Sequence, residues 1–219
     1  MTAEETHDRE DALAYLPRKG IIQYQQHQII YDEHHPSSGL SLIIEGRVKV
    51  TTAMGNRAET VVGILGADQF FGERALLGNN PHRERAAAME KTALMSWSAA
   101  EVETLIERQP RLGLALMQIL VERCLEFGER LQVFAYERAT DRLAWGLIRF
   151  TRSGTPQPDG AVSIPPLTHQ VLSEYIGTSR EVVSASMSEF RHRGFVRYSR
   201  KAIVIYPEAL AEHLRNQRS

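Results

Sequence analysis

Apolar and polar residues along the chain follow two different periods. Between residues 20 and 95, short runs rich in β-branched residues, such as Ile29–Tyr31 and Val48–Val50, are separated by turn sequences such as His35–Gly39. Many short strands at regular spacing, with glycine at the corners, are typical of a small antiparallel barrel or jelly roll. From residue 99 onward the apolar residues recur at helical spacing instead, which predicts helices over 99–108, 110–135 and 138–151.

The helix predicted from Pro110 carries an apolar seam in which successive members are three or four residues apart. Its members are Met117, Leu120, Cys124, Phe127, Leu131 and Phe134. This spacing is that of a coiled coil, and charged residues cover the flanks of the seam. They are Glu122, Arg123, Glu126, Glu129 and Arg130.

Other apolar residues of this helix could face the barrel, namely Leu114, Ile119, Val121 and Val133. The seam would then be free to pair with the same helix of a second copy. The alternative is a helix that packs only on its own barrel.

Residues 168–190 have the pattern of two short helices joined by a tight turn. Thr168 can cap the first helix, Gly177 can take the left-handed conformation that ends it, and Ser179 can cap a second helix that begins at Arg180. The apolar residues that would hold the two helices together are Val171, Leu172, Ile176, Val182, Val183, Met187 and Phe190. This pattern predicts a helix-turn-helix, whose second helix presents its first residues to the DNA major groove.

The segment after Gly194 alternates like a two-stranded hairpin, with Ser199–Lys201 at its tip. Residues 166–219 hold eight arginines and lysines against five acids, although the whole chain has a net charge of −1. A basic hairpin beside a helix-turn-helix suits contacts to DNA phosphates and predicts a winged helix-turn-helix.

These elements together predict an α+β fold with three parts. We expect an effector-sensing β-barrel domain over residues 1–109, a dimerisation helix and hinge over 110–137, and a winged helix-turn-helix domain over 138–219.

Bulk features exclude several classes of protein. No apolar run approaches the ~20 residues that span a bilayer, and the first ten residues are polar and acidic, unlike a secretory signal. We therefore expect a cytoplasmic protein with no membrane partner. The single cysteine, Cys124, excludes an internal disulfide and a cysteine cluster for a metal. The histidines form no evident ligand set, so no metal is predicted.

Four segments, in this order and spacing, resemble the cyclic-AMP receptor protein / fumarate-and-nitrate-reduction regulator (Crp/Fnr) superfamily of bacterial transcription regulators. They are Leu42–Val50, Phe70–Leu77, Thr140–Ala144 and Leu172–Val183. The resemblance implies an N-terminal cyclic-nucleotide-binding-like jelly roll and a homodimer that binds near-palindromic double-stranded DNA. It also implies RNA polymerase as a further partner.

The resemblance assigns the DNA-reading residues. Arg180 and Glu181 match the positions that read a G·C pair, and arginine and carboxylate suit guanine and cytosine respectively. The family's next base-reading position, often arginine, is Ala185 here, so we expect TGxxA-like half-sites with relaxed preference at one position. The remaining candidate DNA contacts are Thr168, His169, Ser179, Ser184, Arg200 and Lys201.

The effector is harder to assign. Gly72 and Glu73 match the first half of the family's nucleotide cassette, but His82 and Arg83 stand where Arg-Ser or Arg-Thr would bind the cyclic phosphate. Phe127 stands where adenine-specific members carry a hydrogen-bonding pair. We therefore expect no certain cofactor, with cyclic AMP a poor fit and another small effector, or none, in its place.

Two other functions are alternatives to the DNA-binding regulator. One is a cyclic-nucleotide-binding module that acts through a protein partner, which would have no use for Arg180 and a basic wing. The other is an enzyme. The chain has no P-loop, no Gly-x-Ser-x-Gly and no metal-spaced His/Glu motif, so we predict no catalytic activity.

Overall fold

The computed structural model describes residues 10–53, 59–78 and 84–217. By its internal contacts the chain divides into two compact units. One consists of Met1–Lys49 with Leu65–Glu129, and the other of Val50–Ile64 with Arg130–Ser219. Among the described residues, no helix is both long enough and apolar enough to cross a membrane.

The strands predicted between residues 20 and 95 are confirmed. The first eight strands are β1 Ile22–Tyr24, β2 Ile29–Tyr31, β3 Gly39–Glu45, β4 Val48–Thr52, β5 Thr60–Leu65, β6 Phe70–Phe71, β7 Glu84–Ala88 and β8 Thr92–Ser98. They form two four-stranded sheets with the orders β1-β8-β3-β6 and β2-β7-β4-β5. The pairings resolved within the first unit are antiparallel, as expected for a jelly roll.

The barrel core forms where β3 and β8 pack on helices. Leu40 and Leu42 of β3 lie against Trp97 of β8, and the Trp97 indole donates a hydrogen bond of 2.9 Å to the Pro17 carbonyl. A buried indole N–H needs such a partner, because leaving it unsatisfied would offset part of the gain from burying the ring.

Helix α1 (Ala99–Arg108) and helix α2 (Pro110–Tyr136) follow the barrel. Ser98 and Glu101 form a capping box that starts α1. On α2, Leu112, Ala115 and Leu116 are buried in the barrel core and Ile119 packs beside them. The prediction that Leu114 and Val121 face the barrel is wrong, since these side chains are 37% and 52% exposed.

The remaining elements belong to the second unit. They are α3 Ala139–Phe150, β9 Thr155–Pro156, β10 Val162–Ile164, α4 His169–Ile176, α5 Arg180–His192, β11 Val196–Tyr198, β12 Ile203–Ile205 and α6 Pro207–Gln217. The four strands form one sheet of order β11-β12-β10-β9. Its core is built from fully buried side chains of the helices and the sheet, namely Leu143, Leu147, Leu172, Met187, Phe190, Ile205 and Leu210.

A substitution at Gly39 tests the packing of the barrel. Gly39 pairs with Ser98 at the start of β3, and a Cβ added there would lie 1.9 Å from the Trp97 carbonyl oxygen and 2.6 Å from Ser98 Cα. Because both obstacles are backbone, we expect Gly39→Ala to lower the free energy of unfolding by about 3 kcal/mol, measured by urea denaturation. Gly20→Ala is the control, since its Cβ would meet nothing within 4 Å. Equal stability of the two variants would contradict this packing.

Candidate nucleic-acid interface and effector pocket

Helix α4 has the two ends that the sequence predicted. The Thr168 hydroxyl oxygen accepts a hydrogen bond of 3.1 Å from the Val171 N–H, which caps the first turn. Gly177 ends the helix with a φ of +64°, in the left-handed region that favours glycine. These two residues fix the length of α4 and the direction in which the chain leaves it.

Helix α5 begins one turn later with its polar residues outward. The Ser179 hydroxyl oxygen accepts a hydrogen bond of 3.3 Å from the Val182 N–H. Arg180 and Glu181 follow in the first turn and both are exposed. Hydrogen bonds from its own backbone N–H and from the Ser179 hydroxyl hold the pKa of Glu181 below its usual range, so this carboxylate is ionised at neutral pH.

The opposite face of α5 is buried. Val183, Met187 and Phe190 are each 0% exposed, and Leu172 and Ile176 of α4 are also buried. Val182, which was predicted to belong to this contact, is 38% exposed. The apolar residues therefore hold α5 in one rotational setting that turns Arg180 and Glu181 to solvent.

His169 connects the start of α4 to α5. Its Nδ1 lies 2.9 Å from the Ser184 hydroxyl oxygen, and that hydroxyl donates a hydrogen bond of 2.9 Å to the Arg180 carbonyl. Since the serine proton is used in this way, Nδ1 must carry the proton that reaches Ser184. Burial, and secondarily the Arg180 charge, lower the pKa of His169, which favours the neutral ring.

The wing is confirmed as the hairpin β11–β12, with Ser199–Lys201 between its strands. The Ser199 N–H donates to the Ala202 carbonyl at 2.8 Å, and Arg200 and Lys201 at the tip are exposed. The Tyr198 ring joins the wing to both helices. The centroids of the Tyr198 and His169 rings are 6.0 Å apart, and the Arg191 guanidinium carbon lies 5.5 Å from the Tyr198 centroid.

All eight predicted DNA-contact residues therefore lie on α4, α5, their two capping positions or the wing tip. The structure joins His169, Ser184 and Arg180 in one chain of hydrogen bonds.

Asp159 was not predicted as a site residue, and it supports the wing. It accepts hydrogen bonds of 2.9 Å from the Tyr206 hydroxyl and 3.1 Å from Arg197.

A small, largely apolar pocket lies in the first unit between the barrel and α2. It is lined by Leu40, Phe70, Glu73, Leu76, Leu116, Ile119, Leu120 and Arg123. Gly72, next to the lining residue Glu73, has a φ of +83° and precedes the 3₁₀ helix Glu73–Leu77. The Arg123 guanidinium pairs with the Glu73 carboxylate and donates to the Phe70 carbonyl, so the two charged side chains found among the described lining residues are joined to each other.

The other predicted effector residues are His82, Arg83 and Phe127. His82 and Arg83 lie outside the described residues. Phe127 is on α2 with 52% of its surface exposed. The sequence placed Arg123 on a charged flank of the seam, and no spacing rule could have shown that it contacts Glu73, fifty residues earlier.

The predicted seam of α2 is an exposed apolar stripe. The exposed fractions of Met117, Leu120 and Phe127 are 59%, 42% and 52%, and that of Leu131 is 70%. Cys124 is exposed as well. Phe134, the last member, is 39% exposed and contacts two arginines of its own chain.

Comparison with known proteins agrees with this geometry. Residues 21–109 match a family model described as "Cyclic nucleotide-binding domain", and residues 141–213 match one described as "Crp-like helix-turn-helix domain".

Relatives with curated names match both parts together. The "Cyclic AMP receptor protein" of Thermus thermophilus is 27% identical, over 93% of this chain and 90% of its own. The "CRP-like cAMP-activated global transcriptional regulator" of Mycobacterium tuberculosis is 26% identical, over 84% and 83%. Among solved structures, FixK2 from Bradyrhizobium japonicum shares the fold with a TM-score of 0.75 and 18% identity, over 88% of this chain and 96% of its own.

Proposed function

Because the chain belongs to the Crp/Fnr superfamily of DNA-binding transcription regulators, we propose that it acts as a homodimer that reads a near-palindromic site with α5. The observation that carries this proposal is the setting of α5, whose buried face leaves Arg180 and Glu181 exposed at a capped N-terminus. In a helix-turn-helix these are the positions that enter the major groove.

The chemistry of the two exposed residues suits one base pair. Arginine binds guanine O6 and N7 with two parallel hydrogen bonds, and an ionised carboxylate accepts from cytosine N4. The lowered pKa of Glu181 keeps it ionised for this role. Ala185 is exposed on the same helix but has no hydrogen-bonding group, which supports TGxxA-like half-sites with one relaxed position.

The remaining candidates are assigned to phosphates. Thr168 accepts a backbone hydrogen bond as a cap, and its hydroxyl still has a proton to donate to a phosphate oxygen. Ser179 also caps its helix, but its hydroxyl donates to Glu181 in the free protein, so its proton reaches a phosphate only when Glu181 turns to a base. Arg200 and Lys201 at the exposed wing tip add two positive charges. Such contacts set register and affinity but not sequence preference.

Base reading by Arg180 is tested by fluorescence anisotropy on a labelled palindrome with two TGTGA-type half-sites. We expect Arg180→Ala to weaken binding about 10- to 100-fold. The loss of affinity on replacing the G·C pair in the duplex should also be smaller in this variant than in the unchanged protein. The matched control is Lys201→Ala, which should weaken binding to every duplex alike and lower the salt slope by about one. Unchanged preference at every position in Arg180→Ala would contradict base reading by α5.

His169 makes the proposed binding pH-dependent. In the free protein its Nδ1–H is used by Ser184, and its lowered pKa favours a neutral ring whose Nε2 cannot donate. A nearby phosphate raises the pKa of a histidine, so the complex holds more protons than the free protein. Affinity should therefore rise as the pH falls from about 8 to about 6.

This prediction is checked by repeating the anisotropy titration across that pH range. His169→Gln should flatten the pH dependence, whereas His192→Gln, an exposed histidine at the far end of α5, should keep it. The same slope in His169→Gln as in the unchanged protein would remove His169 from the interface.

We assign the exposed stripe of α2 to the dimer interface. Its residues follow the spacing of a coiled-coil seam, and at least four large apolar side chains on it are more than 40% exposed. Two such stripes packed about a two-fold axis would remove this apolar surface from water, with the same patch used on both copies.

Substitution of two similarly exposed leucines of α2 tests this assignment. Leu131 lies in the seam and is 70% exposed, whereas Leu125 is 64% exposed but outside the seam. We expect Leu131→Glu to raise the dimer dissociation constant about tenfold or more, because it places two charges in the interface, and Leu125→Glu to change it little. Sedimentation equilibrium measures both constants, and equal effects would contradict a seam interface.

The barrel supplies an effector site in this proposal. The match to a cyclic nucleotide-binding domain supports a small effector. Cyclic AMP fits poorly, because Phe127 offers no hydrogen bond and Glu73 is already paired with Arg123. Running the palindrome titration with and without cyclic AMP decides this point.

The wider setting is proposed from relatives that are named as global transcriptional regulators. We propose a cytoplasmic protein that acts by binding, without catalysis, and whose further partner is RNA polymerase. A regulatory module without DNA binding is not favoured, because the helix-turn-helix match covers residues 141–213.

A further inference from the structure

The turn of the helix-turn-helix is held by two arginines from outside the motif. The carbonyls of Tyr175, Ile176 and Gly177 follow one another at the end of α4. Arg130 Nη2 lies 3.3 Å from the first oxygen, and Arg142 Nε and Nη2 lie 3.0 and 3.2 Å from the second and third. The last carbonyls of a helix lack partners inside it, and positive charge is favourable there.

An aromatic ring fills the space between the two arginines. The guanidinium carbons of Arg130 and Arg142 lie 5.9 and 5.3 Å from the centroid of Phe134. The same ring abuts Gly177, where an added Cβ would lie only 2.8 Å from Phe134 Cε1. Gly177 therefore serves the turn both by its positive φ and by leaving room for Phe134.

Arg130 also reaches a strand. Its Nη1 donates to the Val62 carbonyl at 2.7 Å and its Nη2 to the Val61 carbonyl at 3.2 Å, while its guanidinium lies 4.5 Å from the Tyr175 ring centroid. Only the planar fork of arginine can serve several carbonyls and stack on an aromatic ring at once. One side chain of α2 thus ties β5 to the last turn of α4.

Arg142 makes the matching connection on the other side. Its Nη1 donates to the Glu137 carbonyl at 3.2 Å, which lies between α2 and α3. The turn that precedes α5 is therefore fastened to β5, to the end of α2 and to the start of α3 by two guanidinium groups.

We propose that Arg130 is a positioning residue for DNA reading, which fixes the direction of α5 by holding the α4–α5 turn against α2 and β5. The proposal rests on the proposed function of α5 as the DNA-reading helix. Arg130 does not contact DNA in this role, because its two terminal nitrogens donate to carbonyls of its own chain and the Tyr175 ring lies against its guanidinium.

The test is DNA binding by the full chain carrying Arg130→Gln or Arg130→Lys, measured by anisotropy on the TGTGA-type palindrome over a range of salt. We expect both variants to lose about tenfold in affinity, because lysine retains the charge but not the fork. The slope of log K against log salt and the penalty for replacing the G·C pair should both stay as in the unchanged protein. Arg108→Gln, an exposed arginine at the end of α1, controls for the change in net charge.

Hydrogen exchange on the same variants distinguishes a local effect on the α4–α5 turn from a general loss of structure. The amides of α4 and of the turn before α5 should exchange faster in Arg130→Gln, while those of β11 and β12 should keep their protection. If Arg130→Gln does not fold, as judged by its thermal transition, Arg130→Lys alone carries the test, with the same loss of affinity expected at an unchanged salt slope.

The possible outcomes are distinct. Full affinity of Arg130→Gln in a protein that still depends on Arg180 would overturn the positioning role and leave the proposed function intact. A salt slope lower by about one would also overturn it, since Arg130 would then contact a phosphate. Failure of the unchanged protein to bind, or indifference to Arg180→Ala, would instead count against the proposed function.

Discussion

The proposed DNA-reading surface depends on the burial of one face of α5. Val183, Met187 and Phe190 are excluded from solvent, so α5 can take only one rotational setting about its axis. That setting places Arg180 and Glu181 outward at the capped end of the helix. If the buried face were lost, Arg180 and Glu181 would still be present, but their orientation toward the DNA major groove would no longer be fixed. Specific reading requires such rigid placement, because each bidentate contact tolerates little displacement.

The surrounding contacts refine the same placement. His169 and Ser184 connect α4 to α5 through side-chain hydrogen bonds, and Tyr198 adds the wing. Arg130 and Arg142 hold the intervening turn from outside the motif. These polar contacts act on short segments whose own apolar surface is small.

Much of this could be predicted from the sequence, for reasons that are local. The caps Thr168 and Ser179, the left-handed Gly177 and the hairpin around Ser199 are set by residues a few positions apart, and all four are confirmed. The period of the apolar residues likewise gave the bounds of α1 and α2 closely. The exposure of Leu114 and Val121 was not predicted, because a helix with apolar residues around most of its circumference does not reveal which side meets the barrel.

The contacts of long side chains could not be predicted from the sequence, for a different reason. Arg123 and Arg130 sit beside the seam, where a solvated charge is the ordinary expectation, yet they reach Glu73 and the carbonyls of Val61 and Val62. Their partners lie far away in the chain and, apart from Glu73, the hydrogen-bond acceptors described above are backbone carbonyls, which carry no sequence signature.

The most direct test of the central claim is to let the full-length protein select duplexes from a randomised pool and to sequence the enriched fraction. A dimer that reads DNA through α5 should enrich a two-fold-symmetric motif whose half-site centres lie about 34 Å apart, one helical turn, with a strongly preferred G·C pair in each half. Enrichment of a single asymmetric element, or of no motif at all, would contradict the account.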